Sequence, residues 1–161
     1  MKNNFIIKNF FITTNKIKRV LDKYHQKNDI YLGQARILSF LYRNKDTKIY
    51  QKDLEETFQV RGGTITGMLD NLVKMELLTR VESTTDKRKR KLILTKLGEE
   101  KALKAIDTIN TFEENVEKVL SESELLHLDT IFTKINNYLD QEETLWNHFL
   151  NTYYLLKNTL F

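Results

Sequence analysis

The sequence contains no cysteine among its 161 residues. Neither a disulfide framework nor a thiol-based redox switch is therefore possible. Proline is also absent, and all five glycines lie between positions 33 and 98. Both ends of the chain thus lack the residues that most often break helices, which predicts a mainly helical protein.

Long apolar runs are missing as well. Residues 1–12 are largely apolar but are interrupted by Lys2 and Lys8. The resulting runs are too short for a secretion signal or a membrane span, and no small-residue cleavage site follows them. We therefore expect a cytoplasmic protein that makes no membrane contact.

Residue patterns that support catalysis or metal binding are also scarce. The three histidines, His25, His127 and His148, are widely separated, and none has the spacing of a metal site. The glycine-rich run at 62–67 lacks the Lys-Ser/Thr pair that completes a phosphate-binding loop, and no predicted strand precedes it. Adjacent acidic pairs look like solvated helix faces. We expect no enzymatic activity, no metal and no cofactor.

The charge of the chain is unevenly distributed. Residues 1–96 contain 21 basic and 10 acidic side chains, whereas residues 97–161 contain 5 and 12. The net charge is therefore +11 in the first part and −7 in the second. This asymmetry suggests that the basic part meets a polyanion, although many ordinary domains also carry some asymmetry.

Apolar spacing predicts six helices and one β-hairpin. In residues 62–75, apolar side chains recur at i, i+3, i+4 and i+7, as on the buried stripe of an amphipathic helix. A short helix followed by this longer one, with a tight turn between them, makes a helix-turn-helix. Thr95 is a candidate N-cap for the fifth helix, and Ser121 with Glu124 forms a capping box before the sixth. The first four predicted helices cover about 5–27, 34–43, 50–57 and 62–75, and the strands cover 77–82 and 90–95.

The fourth predicted helix carries small and polar side chains opposite its apolar stripe. Small and hydroxyl-bearing residues at the start of a helix let the backbone approach DNA, where side chains bond phosphates or base edges in the major groove. The alternative interpretation is an ordinary solvated face, since Asp70 would be unfavourable beside a phosphate. The polar face consists of Gly63, Thr64, Thr66, Gly67, Asp70, Asn71 and Lys74.

Five consecutive cations, Lys87 to Lys91, lie in the predicted hairpin. A basic loop of this kind can reach the narrow minor groove, whose negative potential attracts arginine. Asp86 either braces Arg88 in an extended pose or serves the turn. The alternative interpretation of the run is non-specific solvation or a tail-like interaction patch. The candidate DNA-binding residues are Arg61, Gly63, Thr64, Thr66, Asn71, Lys74, Asp86, Lys87, Arg88, Lys89 and Arg90.

Four segments within residues 32–98 resemble the MarR-type transcriptional regulators: LGQARILSFL, DLEETFQV, TITGMLDNLVKMELLTR and DKRKRKLILTKLG. The most specific element is the wing pattern D-x-R-x(5)-L-T, formed here by Asp86, Arg88, Leu94 and Thr95. The flanking helices match the family in order and length rather than in residues.

The resemblance implies a winged helix-turn-helix between N- and C-terminal helices that interlock in a homodimer. The recognition helix, residues 62–75, would enter the major groove, and Arg88 would enter the minor groove, held by Asp86. Such regulators are commonly repressors released by a small ligand bound between the dimerisation and DNA-binding regions. Two residues depart from the family pattern. Gly67 stands where many members carry a larger polar residue, which puts base readout there in doubt. Glu76 stands where a glycine often ends the recognition helix, which leaves the exit turn in doubt.

The terminal segments carry apolar stripes too extensive for one narrow helix contact. Soluble monomers rarely expose patches of this size, and burial across a two-fold axis would cover them. We therefore expect a homodimer and a pseudo-palindromic operator with half-sites about one helical turn apart. The chain is interpreted as one domain, 1–161, with a winged helix-turn-helix lobe at 32–98 and a helical dimerisation region at 1–28 and 99–161. The terminal apolar residues include Phe5, Ile6, Phe10, Phe11, Leu155, Leu156, Leu160 and Phe161.

Tyr24, Tyr31, Tyr42 and Phe58 are candidates for lining a ligand pocket where the helical frame meets the lobe, although aromatic residues of this kind are also typical of a core. Because thiol and metal sensing are disfavoured, the expected effector is a small aromatic or lipophilic molecule.

The competing function is a winged-helix module that binds another protein, an anti-regulator with little specific DNA binding. Asp70 and Gly67 on the polar face of the fourth helix favour that module. The net positive charge of residues 1–96 and the wing pattern favour DNA binding.

Overall fold

The computed structural model describes residues 5–82 and 90–159, with side chains as far as residue 147. It confirms the mainly helical class with a two-stranded hairpin. The chain divides into two compact units, 1–113 and 114–161, and its interpretation as a single domain stays a prediction. The elements are α1 (Ile6–Gln26), α2 (Leu32–Arg43), α3 (Gln51–Phe58), α4 (Gly62–Lys74), β1 (Leu78–Glu82), β2 (Arg90–Leu94), α5 (Lys96–Glu117) and α6 (Glu122–Thr159).

The first unit packs its helices and hairpin around one apolar core. The core side chains come from the stripes that apolar spacing predicts, because each amphipathic element must bury its apolar face against another. The buried residues of this cluster are Ile30, Ala35, Ile37, Leu38, Leu41, Leu54, Ile65, Leu69, Leu72, Leu77, Leu78, Leu92, Ala102 and Ala105.

The two strands of the hairpin are antiparallel, with Leu78 opposite Leu94 and Arg80 opposite Leu92. Directly opposed residues share a face of the sheet, and alternate residues point to opposite faces. Leu78 and Leu92 are buried, so the face that holds Arg80 is the one turned toward the core. The pattern therefore brings an arginine from β1 against the interior of the lobe.

The predicted caps at the start of the last two helices are confirmed. The hydroxyl of Thr95 accepts a hydrogen bond from the Gly98 N–H at 3.0 Å. Gly98 must remain small, because a Cβ atom there would overlap the carbonyl oxygen of Leu77. Before α6, the Ser121 N–H donates to Glu124 Oε2 at 2.8 Å and the Glu124 N–H donates to Ser121 Oγ at 3.3 Å.

The turn that ends α4 takes the conformation for which glycine is favoured, although Glu76 occupies it. Glu76 has a φ of 58°, in the left-handed region. Its N–H bonds the Val73 carbonyl at 3.0 Å, and the Leu77 N–H bonds the Leu72 carbonyl at 2.9 Å. These two bonds define a Schellman motif. The exit turn therefore has the hydrogen bonds of a glycine-type C-cap and places a strained residue in it.

The helices of both units expose large apolar side chains in the single chain. On α1 and the residue before it, Phe5, Ile6, Ile7 and Phe11 are each more than half exposed. On α6, the same holds for Leu126, Tyr138, Leu139, Leu145 and Trp146. Within the described ranges, no helix is both long enough and apolar enough to cross a membrane.

Candidate DNA-binding site

The outer face of α4 is the polar surface that the sequence predicts. Because Ile65, Leu69 and Leu72 are buried, the opposite side of the helix is turned to solvent. Arg61 is the N-cap residue, and its carbonyl oxygen accepts bonds from the N–H groups of the first turn. The exposed candidate residues on and before this helix are Arg61, Gly63, Thr64, Thr66, Gly67, Asn71 and Lys74.

The two exposed glycines of α4 have no packing reason to be glycine. A Cβ atom on Gly63 or Gly67 would meet nothing within 4 Å among the described residues. Glycine inside a helix is unfavourable relative to alanine, and one use that offsets this cost is the close approach of the backbone to a ligand. The pair therefore leaves a bare strip of backbone along the outer face of α4.

Thr66 holds α3 and α4 together. Its hydroxyl donates to the Gly62 carbonyl at 2.9 Å and accepts from Gln51 Nε2 at 3.0 Å. Gln51 Nε2 also donates to Glu55 Oε1 at 2.8 Å. Thr66 is exposed, but its hydroxyl already has partners within the lobe. Its contribution to any interface is therefore to orient the outer face of α4.

An ion pair joins the recognition helix to the hairpin. Arg80 Nη1 lies 2.7 Å from Asp70 Oδ1, with side-chain exposures of 24% and 48%. The carboxylate that would be unfavourable beside a phosphate is thus partly neutralised by an arginine from β1. Sequence reasoning misses Arg80, because strand alternation indicates its face but no local pattern indicates its partner.

A groove of about 560 Å³ lies between α3 and the hairpin. Lys52, Arg80 and Arg90 contribute positive charge to its lining, and Asp53 and Glu55 contribute negative charge. The acids are engaged locally, since Asp53 Oδ2 accepts from the Tyr50 N–H at 2.8 Å and Glu55 accepts from the side chain of Gln51. Two of the cations are engaged as well, since Lys52 Nζ lies 3.5 Å from Glu56 Oε1 and Arg80 is paired with Asp70.

The wing candidates divide between described and undescribed parts of the chain. Arg90 is exposed at the start of β2. Asp86, Lys87, Arg88 and Lys89 lie outside the described residues, so their role in DNA binding stays a prediction.

The four aromatic candidates for a ligand pocket occupy separate surroundings. Tyr24 and Tyr31 are exposed by 46% and 59%. Tyr42 and Phe58 are partly buried against the core, and Phe58 stacks edge-on with Phe40 at 5.7 Å between ring centroids. The groove between α3 and the hairpin is lined by other side chains.

One titratable side chain, that of His25, is buried in the core of the first unit. His25 is fully buried, and neither of its ring nitrogens has a hydrogen-bond partner in the part of the chain that the structure describes. Burial lowers the pKa of His25 from its usual value, and the nearby Asp22 carboxylate offsets part of that effect. Among the described residues, no cluster of three histidine or acidic side chains is arranged to hold a metal ion.

Comparisons with known proteins agree with this geometry. The family model that matches is that of the MarR family, over residues 29–89. The HTH-type transcriptional repressor YetL of Bacillus subtilis (strain 168) is 32% identical over 88 residues, which is 55% of this chain. The match spans about half, 53%, of the length of YetL.

Two solved structures show the same fold. The Staphylococcus aureus MepR–DNA complex has a TM-score of 0.79 at 24% identity, covering 82% of this chain and 96% of that one. The transcription regulator MarR from Oenococcus oeni PSU-1 has a TM-score of 0.69 at 25% identity, covering 81% and 97%. This chain thus has the winged helix-turn-helix fold of these two regulators, and its residues 29–89 match the model of the MarR family.

Proposed function

We propose that this protein is a sequence-specific DNA-binding transcriptional regulator, a ligand-responsive repressor that binds a pseudo-palindromic operator as a homodimer. The observation that carries the proposal is the outer face of α4. It combines a bare strip of backbone at Gly63 and Gly67 with exposed Thr64, Asn71 and Lys74. A surface of this kind suits the major groove, where the backbone must come close and short polar side chains reach base edges.

The charge of the chain supports the same interface. The net charge of +11 lies in residues 1–96, which include α4 and the basic hairpin. Phosphate contacts by lysine and arginine supply most of the sequence-independent affinity of such proteins and release counterions. The MepR neighbour, which has the same fold, was solved as a DNA complex.

The homodimer is proposed from exposed apolar surface. Phe11 on α1 and Leu126 on α6 are each more than two thirds exposed in the single chain. Soluble proteins rarely leave contiguous apolar surface of this extent in water, and a second copy of the chain would cover it. A two-fold pair of lobes would then read two half-sites about one helical turn apart.

The proposed ligand response involves four aromatic side chains. Tyr24, Tyr31, Tyr42 and Phe58 remain the candidate residues, and a small aromatic or lipophilic molecule remains the candidate effector. Tyr42 and Phe58 already pack against the core, so a ligand that contacts them would have to move core side chains. Loss of operator binding on addition of such a molecule, reversed by dilution, would test this part.

The experiment that tests the function is selection of bound sequences from a random duplex pool at about 150 mM salt, near physiological ionic strength. Enrichment of a two-fold symmetric motif is the expected result, with affinity falling steeply as salt rises. A folded dimer that enriches no sequence would overturn specific DNA binding.

The competing function is a winged-helix module that binds another protein. The half-exposed Asp70 is the observation that favours it, since a carboxylate on this face opposes a phosphate. The ion pair with Arg80 weakens that argument. A protein partner that binds through α4 with little dependence on salt would support the module, because counterion release is characteristic of nucleic acid.

A further inference from the structure

We infer that Arg80 is a positioning residue for DNA binding, which neutralises Asp70 on the recognition helix and ties that helix to the strand that leads into the wing. The inference rests on the proposed function. It starts from the contact of 2.7 Å between Arg80 Nη1 and Asp70 Oδ1, which joins α4 to β1.

The position of Asp70 makes its charge consequential. It is three residues after Gly67 and four before Lys74 on α4, so all three lie on one side of the helix. A phosphate that approached Lys74 or the bare backbone at Gly67 would come within about one helical turn of the Asp70 carboxylate. Like charges at such an interface oppose binding, so Asp70 needs a compensating cation.

Arg80 is placed to supply that cation without contacting DNA. It lies on the core-facing side of β1, opposite Leu92, and its side chain is mostly buried. Its Nη2 atom is enclosed and has no partner within the described ranges. A phosphate could reach that nitrogen only if the arginine moved, which would release Asp70. Arg80 therefore acts through Asp70.

The pair also holds β1 against α4. Arg80 is three residues before residue 83, where the segment that carries Asp86 and Arg88 begins. An arginine held by a carboxylate in a partly buried site orients the strand that precedes this segment. The same contact thus reduces the charge on the outer face of α4 and holds the strand that precedes this segment in the sequence.

A double-mutant cycle on duplex binding tests the inference. The proteins are the wild type, R80M, D70N and R80M/D70N, and the duplex is the sequence selected by the wild type. R80M should weaken binding about tenfold, because it leaves a carboxylate facing the phosphates. D70N alone should change affinity by less than about threefold, and R80M in the D70N background should cost almost nothing.

Two further variants separate charge from folding. R80K keeps the cation. The logarithm of its dissociation constant should therefore rise by less than half as much as that of R80M. K104M removes one positive charge from an exposed position on α5 and should leave binding within about twofold of the wild type. Thermal unfolding followed by circular dichroism shows that each variant is folded under the binding conditions.

Three outcomes would overturn the inference. If R80M loses the same affinity in the D70N background, Arg80 contacts the duplex directly. If D70N changes the selected base at one position, Asp70 reads a base. If R80K is as weak as R80M, charge is not the cause. A wild-type chain that binds no duplex overturns the proposed function and this inference with it, whereas wild-type binding with additive losses overturns the inference alone.

Discussion

The hydroxyl of Thr95 donates a hydrogen bond to the backbone carbonyl oxygen of Glu76 at 2.7 Å. The hydroxyl oxygen of Thr95 also accepts from the Gly98 N–H at 3.0 Å, and the Thr95 N–H donates to the Leu77 carbonyl at 3.2 Å. One residue therefore connects the exit of the recognition helix to the first turn of α5. The threonine of the wing pattern has a structural role, distinct from that of the basic residues in the hairpin.

Replacing Thr95 should show how much this connection stabilises the lobe. T95A removes an N-cap and leaves the Glu76 carbonyl without its hydroxyl partner, so the free energy of unfolding should fall by about 1–2 kcal/mol. T95S keeps the hydroxyl, so its free energy of unfolding should fall by less than half as much. Urea denaturation followed by circular dichroism measures both. Equal stability of T95A and T95S would contradict the role of the hydroxyl.

Glu76 offers a stabilising substitution. Its left-handed backbone conformation is unfavourable for a residue with a Cβ atom, so E76G should raise the free energy of unfolding by about 1 kcal/mol. The matched control is E100G, at an exposed position inside α5, which should lower it by about 1 kcal/mol. If both substitutions destabilise the protein equally, the turn at Glu76 carries no strain.

Gly67 should show opposite effects on stability and on DNA binding. Because a Cβ atom there meets no described neighbour, G67A should stabilise α4 by about 1 kcal/mol through helix propensity. It should weaken binding to the selected duplex several-fold if the backbone approaches DNA closely at this point. Thermal unfolding and duplex titration on one preparation measure both quantities. A variant that is more stable and binds as well as the wild type would show that DNA does not closely approach the backbone at Gly67.

Burial of His25 predicts a dependence of stability on pH. Its pKa is lowered in the folded state, so below the ordinary histidine pKa of about 6.5 the unfolded chain binds more protons. The free energy of unfolding should therefore fall as the pH drops from about 7.5 to about 5.5. H25L should remove most of this dependence, because no group at that position then titrates. H127Q, at an exposed position on α6, is the control and should behave as the wild type.

A pH dependence that survives H25L unchanged would show that another group causes it. The sign of the effect also matters. If wild-type stability rose on acidification over this range, protonated His25 would have a stabilising partner in the fold, contrary to its buried and unpartnered ring within the described residues.

The sequence predicts the elements well where apolar spacing decides them. The predicted helices at 5–27 and 62–75 correspond to Ile6–Gln26 and Gly62–Lys74. The predicted start of α2 lies two residues too late, because the N–H of Leu32 donates to Asp22 Oδ1 of α1 at 2.8 Å. This bond comes from another helix, and the local bond from the Tyr31 N–H to Gln34 Oε1 at 2.9 Å follows a tyrosine, which is not a typical N-cap residue.

In the candidate site, too, the sequence predicts the features that one element decides and misses the contacts between elements. The exposed face of α4 follows from its period, since the buried stripe fixes which residues point outward. The pair of Asp70 with Arg80 joins residues on different elements, and alternation along β1 gives only the face of the arginine. The left-handed turn at Glu76 escapes prediction because a glutamate gives no signal for a conformation that glycine normally marks.

The dimer can be tested on α6 without disturbing the lobe. Leu139 is 53% exposed in the single chain, so L139D should leave the fold of 1–113 intact. If a second copy covers this face, the substitution buries a charge at the interface and should convert the protein to a monomer. N137D adds the same charge at an exposed polar position on the opposite side of α6 and should remain dimeric. Sedimentation velocity measures the association state.

The association state should in turn determine the affinity for the selected duplex. A monomer has one recognition helix for each duplex, so its affinity should fall by at least about a hundredfold as the avidity of two linked half-sites is lost. A monomeric L139D that bound the symmetric duplex as tightly as the wild type would show that the two half-sites are read independently.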